Sequence, residues 1–330
     1  MPYMSVQRMA AFAPQTNWAT AATAPTQWLQ IDGNPGDEPQ VTYLENKALY
    51  GSPAIVYDTL TGVQHTKWSI KGNFFTDTGP YLPWLALGVD TVSGTAAPYT
   101  HTVQLLNDAA TGSQPAAVTF WDVDNVNVSA PAGTSKLIAG AVLDSLSFSM
   151  AATGALTYTA DFIGTQIAET AAPTTIAFTD AVFLPAYLIT ATLNGTAYPV
   201  LQEASIDIKR DAKPIPTLNG SPAPYIVWGN GVDVTGKISL VVNSDDPVYW
   251  DALSRTHNSL VLAATDPVSG YVFTWTLPDV QFKSPKVESS KQWEEVTASF
   301  QANADTTAAI SGYSPIEFSF TSAASAALAA

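Results

Sequence analysis

Residues 156–162, LTYTADF, place Leu156, Tyr158, Ala160 and Phe162 on one side of an extended chain and Thr157, Thr159 and Asp161 on the other. EEVTASF repeats the pattern, with Val296, Ala298 and Phe300 opposite Glu295, Thr297 and Ser299. SIDIKRD sets Ile206 and Ile208 against Ser205, Asp207 and Lys209. A period of two gives a strand one face for a core and one for water, and a one-residue slip would exchange the faces. The 20 Gly and 23 Pro of the 330-residue chain punctuate such segments into short strands joined by turns. The sequence therefore predicts an all-β protein with minor helix.

Along the chain, residues 1–30 read as an extended arm without a core of its own, carrying Phe12, Trp18 and Trp28. QVTYLEN, HTKWSIKGNFF, YTHTVQLL, AAVTFWDVD, AVLDSLSFSM and GALTYTADFIG read as strands of a first domain over 31–165. A connector spans 166–186, and YLITATLNG, SIDIKRD, GVDVTGKISLVV, NSLVLAA, YVFTWTLPDVQF and EEVTASFQAN form a second domain over 187–320, followed by a tail at 321–330. Two segments break the alternation. GPYLPWLALG (79–88) and DPVYWDALSR (246–255) open on proline and carry helical spacing, with Trp84 and Leu87 in one and Trp250 and Leu253 in the other as expected core anchors.

The two series run in the same order. GSPA begins at Gly51 and again at Gly220, 169 residues apart, and Trp84 and Trp250 lie 166 apart. TADF and TASF lie 138 apart, so the second series is shorter in its later loops. Collinearity of strand, long loop, strand, short helix and closing strands indicates an internal repeat. Both GSPA stretches exceed the ~2–5 residues of a tight hairpin. They carry Tyr50, Ile55, Val56 and Tyr57 in the first copy and Tyr225, Ile226, Val227 and Trp228 in the second. Large apolar groups in long loops imply burial against a partner or against the chain's own body.

Composition narrows the function classes. The net charge of −15 divides as −7 over residues 1–165 and −8 over 166–330, so it belongs to the whole body and disfavours adhesion to nucleic-acid phosphates. There is no cysteine, hence no disulfide or thiolate site, and no apolar run approaches the ~20 residues of a membrane span. The first residues read as a poor signal peptide. His65, His101 and His257 lie on separate segments without ligand spacing. DVDNVN (122–127) lacks the glycine and the closing glutamate of a calcium loop. Adjacent Glu294 and Glu295 point to opposite faces, which suits paired-carboxylate hydrolysis badly. No cofactor, metal or catalytic residue is expected.

The strand, long loop, strand and aromatic-bearing helix PYLPWLALG, followed by HTV, VTFW and the pair GAVLDSLSFSMAATGALTYTADFIG, resemble the major tail tube proteins of long-tailed bacteriophages. VTGKISLVV and DPVYWDAL resemble the second domain of their two-domain members. The resemblance implies tandem β-barrel or sandwich domains, each with one flanking helix, that close into rings and stack around a channel for double-stranded DNA. It implies a partner set of other copies, a tape-measure protein, a tail terminator and tail-tip proteins, assembly in the bacterial cytoplasm, and three chains per pseudo-six-fold ring. On this reading the polar faces (Thr157, Thr159, Asp161, Ser205, Asp207, Lys209, Glu295, Thr297, Ser299) form a mildly acidic channel wall, and the two aromatic loops grip the next ring. Bulk solvent on the polar faces, and loops folded back on their own domain, stay open as alternatives. The 9 Trp and 13 Tyr also keep open a carbohydrate-binding or adhesin-like sandwich, or another baseplate or capsid-decoration protein.

Overall fold

The computed structural model describes residues 8–15, 18, 20–33, 35–48, 54–108, 112–123, 135–171, 173, 178, 182–242, 247–289, 293–304 and 313–328. The first half contains β1 (Met9–Pro14), β2 (Gln27–Leu29), β3 (Gly36–Asn46), β4 (Asp58–Asn73), α1 (Tyr81–Leu87), β5 (Gly88–Ser93), β6 (Tyr99–Leu105), β7 (Val118–Val123), β8 (Ser135–Ala151), β9 (Thr157–Gly164) and β10 (Ile167–Thr170). The second contains β11 (Ile189–Leu193), β12 (Thr196–Ala197), β13 (Leu201–Lys209), β14 (Lys213–Ile215), β15 (Ile226–Trp228), β16 (Asp233–Val241), α2 (Pro247–Ser254), β17 (His257–Thr265), β18 (Val272–Glu288), β19 (Glu295–Ala302) and β20 (Glu317–Ser322).

Every ladder is antiparallel, and two 17-residue strands organise them. The first part of β8 pairs with β7 and β10, and its last part with β9 and β13. The first part of β18 pairs with β17 and β20, and its last part with β19. Each strand changes partners along its length, and each carries a bulge after the change, at Leu143/Ser145 in β8 and at Lys283/Lys286 in β18. The result is one row of eight strands, β3–β4–β9–β8–β13–β16–β19–β18. Its first four and last four members pair in the same sequence order. Across the core, β1–β7 and β11–β17 take matching positions beside β8 and β18. Among the described residues no ladder returns to its own start, so no barrel closes within them.

The apolar faces meet in one continuous core spanning both halves. Phe120 of β7 packs against Trp68 of β4 (4.1 Å between ring centres, tilted) and edge-on against Phe162 of β9 (4.5 Å). Phe74, just after β4, lies within 6.2 Å of Phe148, Phe273, Trp275 and Phe318, joining rings from both halves. In the second half Gly236 occupies the place that Trp68 has in the first. A Cβ there would meet the Ser205 carbonyl at 2.1 Å and the Phe300 ring at 2.3 Å, so the strand tolerates only glycine.

Three readings change. The N-terminal segment is no free arm: β1 pairs with β7, and Phe12 and Trp28 are buried because β7 would otherwise be an uncovered edge. The 166–186 connector begins as β10 on β8. The C-terminal strand β20, unread in the sequence, runs between β18 and β6 and so spans the two halves. Behind it, His101 is fully buried, its Nδ1 2.9 Å from the Asp90 carboxylate and its Nε2 3.0 Å from the Ala324 carbonyl, anchoring the tail.

Candidate functional site

The eight-strand row exposes one polar face, and the ladders show how it is assembled. Thr157, Thr159 and Asp161 of β9 lie opposite Ser149, Ser147 and Ser145 of β8, which lie opposite Ser205, Asp207 and Lys209 of β13. Ser205, Asp207 and Lys209 face Lys237, Thr235 and Asp233 of β16, and Thr297 and Ser299 of β19 face Ser239 and Lys237. Ser145 donates to Asp161 (2.8 Å), Ser147 to Asp207, and Ser239 to Glu295. The predicted wall residues thus share a single face. Glu295 is the exception in exposure, since it is buried at the end of its row against Ser239.

The face is close to neutral, with an excess of a single acidic group. It carries Lys67, Lys71, Lys209, Lys237, Lys283 and Lys286, six of the chain's 13 basic residues. Against them stand Glu38, Asp161, Glu203, Asp207, Asp233, Glu288 and the buried Glu295. Lys67 lies directly opposite Glu38, and Lys209 opposite Asp233. The acidity of the chain resides elsewhere, and this surface is a near-neutral mosaic of hydroxyls and alternating charges whose fields cancel within a Debye length.

Two excursions leave the row at matching places. The first is the tall hairpin of β3 and β4, in which Tyr43, Leu44 and Leu60 are exposed and Leu44 faces Leu60 across the strands. At its tip Ile55 is 75% exposed, with Val56 and Tyr57 also open, while Tyr50 falls outside the described residues. The second excursion, 210–232, behaves differently: it folds into the small β14–β15 hairpin and lies across β8 and β9. Val227 is buried with Ala117, Val142, Ile163 and Ala212, which removes it from the residues available to a neighbour. Ile226 is half-buried, Trp228 lies over Gly112, and Tyr225 stays 63% exposed.

Arg210 fastens this second excursion, a role with no signal in the local sequence. It is buried, donating to the Ala86 carbonyl at the end of α1 (3.2 Å) and to the Ser113 carbonyl (3.1 Å). Among the described residues no carboxylate pairs with it, and burial pushes its guanidinium down to about 10. Beside it Gln114 and Gly229 exchange two hydrogen bonds of 2.9 and 2.8 Å. On the adjoining bulge Asp144 accepts from the Ala212 amide at 2.7 Å, and burial raises its carboxyl above the ordinary aspartate range. The second GSPA reaches back too, with the Pro222 carbonyl accepting from the Gln64 amide at 2.8 Å.

The two helices diverge. α1 buries Trp84 and Leu87 and ends on Gly88 at φ +102°, whose amide closes on the Trp84 carbonyl. α2 does not bury its expected anchors: Trp250 is 66% and Leu253 59% exposed, and Val248 makes the core contact in their place. The inserted β5–β6 hairpin packs on α1, whereas the chain after α2 passes directly into β17.

Among the described residues no three His, Asp or Glu side chains gather to hold a metal ion, and no helix is long and apolar enough to cross a membrane. A sheet with a two-faced pattern, open ends and exposed apolar protrusions is the build of a structural protein that assembles with others. The chain matches the family model of the phage tail tube protein over residues 9–329 and belongs to that family. It is a structural component of the virion tail and not an enzyme. No curated protein matches it.

Proposed function

We propose that the chain is a two-unit tail tube subunit, three copies of which close a pseudo-six-fold ring, and that stacked rings make the conduit for genomic DNA. The observation that carries this reading is the eight-strand row. Its two halves repeat one pairing order, and β8 and β13 already join them edge to edge, so the same junction between chains extends the row without limit or closes it. In this reading the polar face turns towards the channel. Its near-neutral, hydroxyl-rich surface offers phosphates neither a cationic foothold nor strong repulsion, which suits rapid passage of a polyanion.

Stacking falls to the apolar tips, Ile55, Val56 and Tyr57 on the first excursion and Tyr225 on the second, all exposed in the single chain. Assembly takes place in the host cytoplasm, with the tape-measure, terminator and tail-tip proteins bounding the tube. Electron microscopy of concentrated purified protein tests the reading, with hollow tubes or rings expected. Light scattering on isolated rings separates three chains from six, and monodisperse single chains at every concentration would overturn it. Ile55→Ser with Tyr57→Ser is expected to leave rings intact and shorten the tubes.

A further inference from the structure

The eight-strand row contains its own template for a contact that the single chain cannot make. In the interior, residues 145–151 of β8 pair with 203–209 of β13. The corresponding end of β18, Lys283–Glu288, pairs with β19 on one side and with no described strand on the other. The outer side of β3 likewise pairs with no described strand. These two vacancies are the two halves of the β8–β13 junction: β18 is bound to β17, β20 and β19 as β8 is to β7, β10 and β9, and β3 is bound to β4 as β13 is to β16.

The matching can be carried residue by residue. Phe162 of β9 pairs with Trp68 and Leu143 as Phe300 of β19 pairs with Gly236 and Phe282. Stepping outwards along the ladders, Ser147 matches Lys286, and Asp207 matches Glu38. Ser147 and Asp207 face each other in the interior and share a hydrogen bond.

We infer that Lys283–Glu288 of one copy pairs antiparallel with Gly36–Gln40 of a second copy in the β8–β13 register, with Lys286 directly opposite Glu38. This rests on the tail tube reading and names the edge, partner strand and register it requires. The chemistry of both edges agrees. The Ser147–Asp207 hydrogen bond becomes a Lys–Glu ion pair, and both side chains are exposed in the single chain, where Lys286 donates to its own-strand neighbour Glu288 at 2.6 Å. Where the interior places Ile208 opposite Leu146, the two free edges carry Pro39 and the bulge at Ser284 (φ +51°) and Pro285. Proline, lysine and a bulge are the devices by which an exposed edge resists pairing with the wrong strand. Here they stand at matched positions on the two edges, so the junction excludes misregistered partners while accommodating its own.

The chain has no cysteine, so disulfide trapping reads the junction directly. Arg210 donates to the Asp144 carbonyl and Ala152 to the Gln202 carbonyl, which makes Asp207–Ser147, offset by an odd number of residues, a non-hydrogen-bonded pair with close Cα atoms. The matched pair 38/286 then falls within disulfide reach. Full-length chain carrying E38C and K286C is concentrated, oxidised mildly, run on non-reducing gels and imaged in parallel, with Q40C/K286C as the register control. The expected result is a ladder of linked chains from 38/286 and little from 40/286. Tubes that form without a 38/286 link overturn the junction and leave the tube standing. A linked ladder without tubes or rings supports the junction and overturns the tube, and neither links nor tubes overturns both. In a second measurement, E38K is expected to slow tube growth about fivefold, the factor that a cross-strand charge pair supplies, and E38K with K286E to restore it. A double variant as slow as the single one would also overturn the register.

Discussion

The two short helices occupy matching places in the pairing scheme and have opposite fates. α1 is walled in, with Trp84 and Leu87 at 1% and 0% exposure, while α2 leaves Trp250 and Leu253 on the surface. The excursions show the same contrast: 210–232 is clamped onto the first half by Arg210, Gln114 and Val227, while the outer part of the β3–β4 hairpin stands clear. In each pair, one member is covered by another part of the same chain and its counterpart waits for a cover. Burial is therefore a property of position in the row as much as of local sequence. What the first half obtains from the second, the second half has no third unit to supply.

The comparison breaks most visibly at Trp84. Trp84→Ala is expected to cost about 3–5 kcal/mol in urea unfolding of the isolated chain, whereas Trp250→Ala is expected to stay within about 0.5 kcal/mol. Equal losses would mean that α2 is covered without a partner. Phe12→Ala, which opens the β1–β7 pairing, is expected to fall close behind Trp84→Ala, with near-ultraviolet circular dichroism reporting the loosened aromatic cluster around Phe120.

Next in size is Arg210→Met. Removing two hydrogen bonds from a buried cation is expected to cost about 2 kcal/mol and to expose 212–228 to limited proteolysis, making the second excursion resemble the first. The smallest effect belongs to Asp144→Asn. Because burial raises the folded-state carboxyl above its unfolded value, stability linked to this group is complete below the unfolded pKa and is lost as pH rises through the folded one. The half-exposed site limits the gain from the amide to about 0.5 kcal/mol at neutral pH, vanishing in acid, as urea midpoints at the two pH values would reveal.

Much of this architecture is legible in the chain. Alternation in LTYTADF, EEVTASF and SIDIKRD places their polar residues on one face, and the Pro-opened, Gly-closed PYLPWLALG marks α1 to within a residue. The errors have a common cause. Trp250 and Leu253 have the spacing of core residues, but spacing says which side chains share a face, not whether anything covers it. Phe12 sits among Ala, Pro and Thr without alternation, because β1 is buried on both sides and needs only small residues there. The near-neutral charge of the polar face eluded a reading of three strands because Lys67, Lys71, Lys237, Lys283 and Lys286 reach it from the others. Arg210 sits in a charged run, KRD, where nothing local separates a solvated cation from one enclosed by α1 and residue 113.

The placement of β20 has a consequence for synthesis. Residues 317–322 thread between β18 and a strand laid down some two hundred residues earlier, at 99–103, so neither half has its full set of neighbours until residue 322 has been made. A chain interrupted before 317 leaves β6 and the first part of β18 without their shared neighbour and Trp275 without Phe318, a species with apolar surface prone to aggregate.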